Sequence, residues 1–227
     1  MSISDFIIKS VQKRRSDMKI RLSTHLMVIM VSLVFLTRHM GGILTNPALL
    51  IFSPYIAINV LDIYFLSKSL KNKPKSIDMR ISSIMISTLV SIHPVFIILL
   101  PVNASQVAFL CKTGVMIHLI GGFIIFWALL ALRANLTILP EINAIVRTGP
   151  YKYVRHPLYF SYIFLAISES LIYQTPSVLV LTVLQVILIL VRAAREEALL
   201  LEVPEYRDYY NKTLWFNMLW NKNNQIS

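Results

Sequence analysis

Two short polar runs in this chain carry side chains able to do chemistry. The first is Gly149-Pro150-Tyr151-Lys152-Tyr153-Val154-Arg155-His156-Pro157-Leu158-Tyr159. It joins a tight turn, an aromatic ring whose flat face can stack on a base, a guanidinium, an imidazole and a phenol. The second is Arg192-Ala193-Ala194-Arg195-Glu196-Glu197. Arg192 and Glu196 are four residues apart and so stand one above the other on a helix face, while Glu197 points about 100° away. Each run alone has a plain alternative. Arg155 and His156 also suit an interfacial anchor before a helix that begins at Pro157, where the missing backbone donor costs nothing. Arg192 and Glu196 also suit a surface salt bridge, worth about 0.3–0.5 kcal/mol when exposed. What sets them apart is their joint position. They occupy the two feet of one apolar hairpin, so folding must bring them to the same side of whatever buries it.

That hairpin consists of apolar runs at 158–173 and 177–191, joined by Gln174-Thr175-Pro176. The turn is too short for anything but an antiparallel helix pair. Upstream lie four more apolar runs, at 22–37 (reaching 44 if Arg38 snorkels), 47–67, 81–100 and 113–132. Runs near or above about 18 residues match the length needed to cross about 30 Å of hydrocarbon. Composition agrees, with 56% hydrophobic and 15% charged residues, where a soluble domain carries about 25% charge. The expected fold class is all-α: a polytopic integral membrane protein of about six transmembrane helices, forming a single domain over 1–227. Its expected parts are a basic N-terminal segment over 1–21 resting on anionic headgroups, four spans within 22–132, a core with the hairpin over 133–210, and a tail over 211–227. Pro94 should kink the third span. Gly114, Gly121 and Gly122 should allow close helix packing.

Charge sets the expected orientation. Of 22 Lys and Arg, 20 fall on one side of a six-span arrangement, leaving Arg38 and Lys112 near the other. The positive-inside rule places that side, both termini and both polar runs in the cytoplasm. It also accounts for the net charge of +11 without a nucleic-acid partner, because the basic residues are distributed as topology and not gathered into a patch. The lone Cys111 excludes a disulfide framework or a thiolate metal site within the chain and reads as a small packing residue. His93, His118 and Glu169 sit on different spans without metal-ligand spacing and read as structural hydrogen-bonding groups. Asp62 is a carboxylate at membrane depth and a functional candidate on that ground. It also lies close enough to Lys68 and the interface to be a paired carboxylate.

In their order, Gly149-Pro150-Tyr151, Val154-Arg155-His156-Pro157-Leu158-Tyr159, Arg192-x-x-x-Glu196-Glu197-x-x-Leu200 and Tyr206-x-x-Tyr209 resemble the isoprenylcysteine carboxyl methyltransferase family. That family shares its core with phospholipid N-methyltransferases. The resemblance spans 136–210. A Val203-Pro204 connection stands where the family often has Phe-Gly, and the first four spans carry no resemblance. The resemblance implies transfer of a methyl group from S-adenosylmethionine to a lipophilic small-molecule or prenylated acceptor at the cytoplasmic face. It implies cofactor contacts at Tyr151, His156, Pro157, Leu158, Tyr159 and Glu196, and backbone contacts at Ala144, Ile145 and Val146. Arg192 matches the position that faces the methyl acceptor. A carboxylate suits the cofactor's positive groups, imidazole and phenols suit its ribose or carboxylate, and a guanidinium can hold an acceptor carboxylate by two hydrogen bonds. Two other readings stand beside this one. A membrane reductase of sterol-reductase-like architecture would share the Arg155-His156-x-x-Tyr159 pattern and bind NADPH, although a second glutamate would repel its phosphates. A non-catalytic scaffold would bind neither cofactor.

Overall fold

The computed structural model describes residues 3–45, 54–72, 74–100 and 107–213. The start of the second expected span at 47–53, the snorkelling of Arg38 and most of the tail over 211–227 lie outside what is described. The fold is all-α apart from one bridge of two-residue strands. Helix α1 (Ile3–Thr45) is a single helix of 43 residues, about 65 Å long at 1.5 Å per residue. No glycine or proline interrupts it before Gly41, so no break falls at the expected boundary after residue 21. Its apolar stretch is Ser16–Thr37. Then come α2 (Pro54–Ser69), β1 (Ser76–Ile77), α3 (Ile81–Leu99) and α4 (Ala108–Leu132). They are followed by β2 (Glu141–Ile142), α5 (Pro157–Tyr173), α6 (Pro176–Leu200) and α7 (Pro204–Lys212).

Among the described residues, three stretches are long and apolar enough to cross a membrane: Ser16–Thr37, Ala108–Asn135 and Pro176–Leu200. Ile81–Ile97 and Pro157–Tyr173 are apolar but shorter. Seventeen residues of α5 reach about 25 Å. The first six helices form a closed ring, each packing on two neighbours in the order α1, α2, α4, α5, α6, α3 and back to α1. Small residues let these helices approach. A Cβ on Gly114 would lie 2.8 Å from the Ile172 side chain, and one on Gly122 would lie 2.6 Å from the Tyr55 hydroxyl.

Proline shapes two places that matter for the site. The α5–α6 turn has Gln174 in the left-handed region (φ 50°), Thr175 capping Val178 N and Pro176 at the first helical position. Inside α3, Pro94 removes the donor that would bond the Val90 carbonyl four residues back. Gln185 of α6 supplies the replacement, its Nε2 donating to Val90 O at 3.2 Å. A lost helical bond on one element thereby becomes a tie between two.

The connections at one end of the ring are fastened together. β1 and β2 pair antiparallel, Ser76 opposite Ile142 and Ile77 opposite Glu141. Glu141 takes Arg21 Nε at 2.7 Å, and neither side chain has any exposure. Arg21 also donates to the carbonyls of Ser69 at 2.9 Å and Asn72 at 3.2 Å. This corrects the expectation that the basic N-terminal segment as a whole rests on headgroups. Arg21 sits inside the fold because a carboxylate of the bridge, the last carbonyl of α2 and a carbonyl of the loop after it meet at its guanidinium. Burial pushes the Glu141 carboxyl above the usual carboxylate range even with Arg21 opposing it.

Candidate functional site

The first foot of the hairpin is built by a turn. Gly149 has φ +60°, a conformation that glycine adopts without strain, and a Cβ there would lie 3.0 Å from that of Ala131. A 3-10 turn over Gly149–Lys152 follows, with Pro150 at its start. It buries Tyr151, whose carbonyl accepts a bond from the Tyr209 hydroxyl of α7 at 2.6 Å. Burial, reinforced by the Glu196 charge, holds the Tyr151 phenol well above its ordinary range and therefore neutral. Arg155 and His156 come next, and Pro157 opens α5.

The second foot is the C-terminal end of α6, which continues past residue 191 and so carries Arg192, Glu196 and Glu197 on one unbroken helix. The feet meet through three contacts. Arg155 Nε donates to Glu197 Oε1 at 2.7 Å. His156 Nε2 lies 3.1 Å from the same oxygen. The Tyr159 hydroxyl donates to Glu196 Oε2. The His156 and Tyr159 rings stack, centroids 5.3 Å apart.

The four polar groups differ in how fully they are engaged. Arg155 also donates to the carbonyls of Tyr210 at 2.9 Å and Thr213 at 2.6 Å, and lies over the Tyr210 ring. Arg192 does not pair with Glu196. Its Nη2 donates to Ile138 O at 2.5 Å, its guanidinium lies 5.1 Å from the Tyr159 ring centroid, and its buried Nε has no partner among the described residues. The surface salt bridge allowed by sequence spacing is absent, because Arg192 is buried and turns toward the connection.

These groups face a cavity of about 940 Å³ inside the helix ring. Tyr151, His156, Leu158, Tyr159, Arg192 and Glu196 all line it, so six of the residues singled out in the sequence converge. Pro157 is fully buried beside them. Ala144 and Ile145 instead line a more open recess of about 630 Å³, together with Asn143 and Arg147. Asn135 borders both spaces. Val146 packs against the apolar core around Tyr151 and Leu158. Sequence reasoning missed the Arg155–Glu197 clamp, although both residues stood in the motif. The signal was the helical offset of Glu197 from Glu196, which turns it away from the cavity and toward the first foot. Since Arg155 and His156 engage Glu197, that residue no longer argues against a dinucleotide's phosphates.

A carboxylate held by a phenol, a neutral aromatic, an oriented imidazole and a guanidinium with a free donor can bind a small molecule carrying both charges. They can also set a second, apolar molecule against it. Residues 110–205 match the phospholipid methyltransferase family, to which the isoprenylcysteine carboxyl methyltransferases are related. The match takes in α4, the connection and the hairpin, so it starts upstream of the resemblance read from the motifs and leaves α1–α3 outside. No curated protein matches the chain. The family match and the long apolar helices together point to a membrane methyltransferase.

Proposed function

We propose that this chain is an integral membrane methyltransferase that uses S-adenosylmethionine and methylates a lipophilic acceptor, of the isoprenylcysteine carboxylate type or similar, at the cytoplasmic face. In this reading all six ring helices cross the bilayer, both termini are cytoplasmic, and the Lys and Arg asymmetry sets the orientation. The observation that carries it is the meeting of both hairpin feet in one cavity, within a region matched to a methyltransferase family.

The residues present fit the cofactor. Glu196, with one oxygen held by Tyr159, accepts hydrogen bonds from a positive amino group. His156, fixed by Glu197 and stacked on Tyr159, is oriented toward a ribose or a carboxylate. Tyr151 and Leu158 give apolar and aromatic wall, with Pro157 behind them. Ala144 and Ile145 line the separate recess that Asn135 also borders, so their backbone groups, and that of Val146, would meet the cofactor from that side. When bound, the cofactor supplies a methyl group on a positively charged sulfur.

Arg192 orients the acceptor. Anchored on the Ile138 carbonyl, it keeps a donor free for an acidic or polar headgroup. Displacement by a carboxylate needs no general base, so the protein's part is alignment at near-attack distance and exclusion of water by buried side chains. Arg192 lies one turn deeper along α6 than Glu196, which suits a lipophilic acceptor arriving from the membrane and a soluble cofactor arriving from the cytosol. Calorimetric titration of the purified protein with S-adenosylmethionine tests the reading. Saturable binding is expected. No heat of binding at millimolar cofactor, or tighter binding of NADPH, overturns it.

A further inference from the structure

The methyl-donor reading uses one end of the cavity. Along α5 the cavity wall continues from Leu158 to Tyr173, about 22 Å at 1.5 Å per residue. Its far half is not the plain apolar tube that a hydrocarbon tail calls for. His93 of α3, His118 of α4, Glu169 of α5 and Gln185 of α6 all line it. Measured from the helix ends nearest the hairpin feet, these four lie between about 18 and 23 Å along their helices. Four helices thus contribute to a single polar layer inside the ring.

Three atoms of this layer are buried without a partner among the described residues: His93 Nε2, Glu169 Oε2 and Gln185 Oε1. His93 is only 6% exposed and Gln185 only 5%. Their orientations are fixed by other contacts. Gln185 gives its Nε2 to the carbonyl that Pro94 frees, so its oxygen is the end left over. His93 lies against the Leu181 backbone of α6, and its Nε2 is left unbonded. Buried polar atoms are nearly always paired in folded proteins, and three unpaired ones in one cavity layer call for a partner supplied from outside. Each of the three atoms can accept a hydrogen bond, and one belongs to a carboxyl. A hydroxyl has one hydrogen to give and a carboxylate none, whereas a primary ammonium has three and carries the complementary charge.

Resting on the methyltransferase reading, we propose that the acceptor is two-headed: an elongated lipophile with its methyl-accepting group beside Arg192 and a primary amine at the His93–Glu169–Gln185 layer. Glu169 is the specificity-determining residue for that amine. The distal layer selects which lipophile is methylated, and the layer at the hairpin feet methylates it.

The test uses full-length protein in phospholipid nanodiscs and three probes of equal chain length: dodecylamine, dodecanol and dodecyltrimethylammonium. The last keeps the positive charge but has no hydrogen to donate. Dodecylamine is expected to raise the thermal unfolding midpoint saturably, at concentrations about tenfold lower than the other two. In Glu169→Gln that preference is expected to vanish while calorimetric binding of S-adenosylmethionine is unchanged. Gln185→Met serves the same purpose if Glu169→Gln does not fold, and should shrink the preference. Equal responses to the three probes in the parent protein, or an amine preference that survives both substitutions, overturn the proposal. An amine preference in a protein that fails to bind S-adenosylmethionine would support the distal site and overturn the methyltransferase reading alone.

Discussion

Two arginine–glutamate sets stand at the feet of the hairpin, and they are used in opposite ways. Arg155 is 3% exposed and directs its donors to Glu197 and to two backbone carbonyls of the segment after α6. Arg192 is 5% exposed, reaches a single carbonyl and keeps Nε unbonded. Glu197 receives both Arg155 and His156, while Glu196 receives one phenol. Burial of charge therefore does not separate structural residues from chemical ones here. The degree of saturation does: the filled set ties three segments together, and the open set keeps a donor and a carboxylate oxygen unengaged at the cavity wall. Arg21 and Glu141 belong with the filled set, 120 residues apart in sequence and fully enclosed.

The largest expected effect falls on the filled set. Arg155→Met leaves the partly buried Glu197 with His156 as its remaining partner and removes two carbonyl contacts, so a stability loss of about 3 kcal/mol is expected. Thermal unfolding in nanodiscs measures it, and a change below about 1 kcal/mol would erase the distinction between the sets. Next is Glu196→Gln, which keeps shape and removes charge. It should weaken S-adenosylmethionine binding about ten- to hundredfold with little change in unfolding midpoint. Arg192→Lys keeps charge and loses the planar fork. It should spare cofactor affinity and lower methyl transfer about tenfold. If instead Arg192→Lys abolishes cofactor binding and Glu196→Gln leaves it intact, the roles assigned to the two residues are wrong.

The smallest effect belongs to an intermediate case. Asp78 is buried, but its partner Arg80 has a 63% exposed side chain. Burial alone would raise the Asp78 carboxyl; hydrogen bonds from Arg80 and Ser83, with the Arg80 charge, outweigh it and hold the group down to about 2. A folded value below the unfolded one means that the contribution is complete above about pH 4 and is lost as the pH falls toward 2. With so exposed a partner, the contribution should be no more than about 1 kcal/mol. Acid unfolding of Asp78→Asn should lack this part of the slope; an unchanged slope would rule the contribution out.

Much of this was legible in the sequence because the relevant signals are local. The hairpin ends, its three-residue turn and the meeting of its feet follow from apolar run lengths and Pro176. The glycines of α4 announced close packing, and Gly114 and Gly122 bear it out with Ile172 and Tyr55. Less was legible where partners are distant or the pattern is uniform. Helices that are apolar all round carry no stripe to say which neighbours they choose, so the ring order with α3 beside α6 and α1 could not be read. Strands of two residues give no alternation, so neither the β1–β2 bridge nor the burial of Arg21 against Glu141 was visible. The proline in α3 was read as a kink, but the consequence that fixes Gln185 depends on a residue 91 positions later.

The clamp at Arg155 also bears on when the site can exist during synthesis. Two of its carbonyl partners belong to Tyr210 and Thr213, and the Tyr209 hydroxyl fastens Tyr151. A chain emerges N-terminal end first, at about 5–20 residues per second, so α5 and α6 are made before the segment that locks their feet. Until residue 213 is free of the ribosome, Arg155 has Glu197 but not its remaining acceptors, and Tyr151 is not tied down. The wall of the cavity at the hairpin feet is therefore finished by some of the last described residues to be translated. A nascent chain stalled before α7 should hold its hairpin in the bilayer with the cavity mouth at its feet still unlatched.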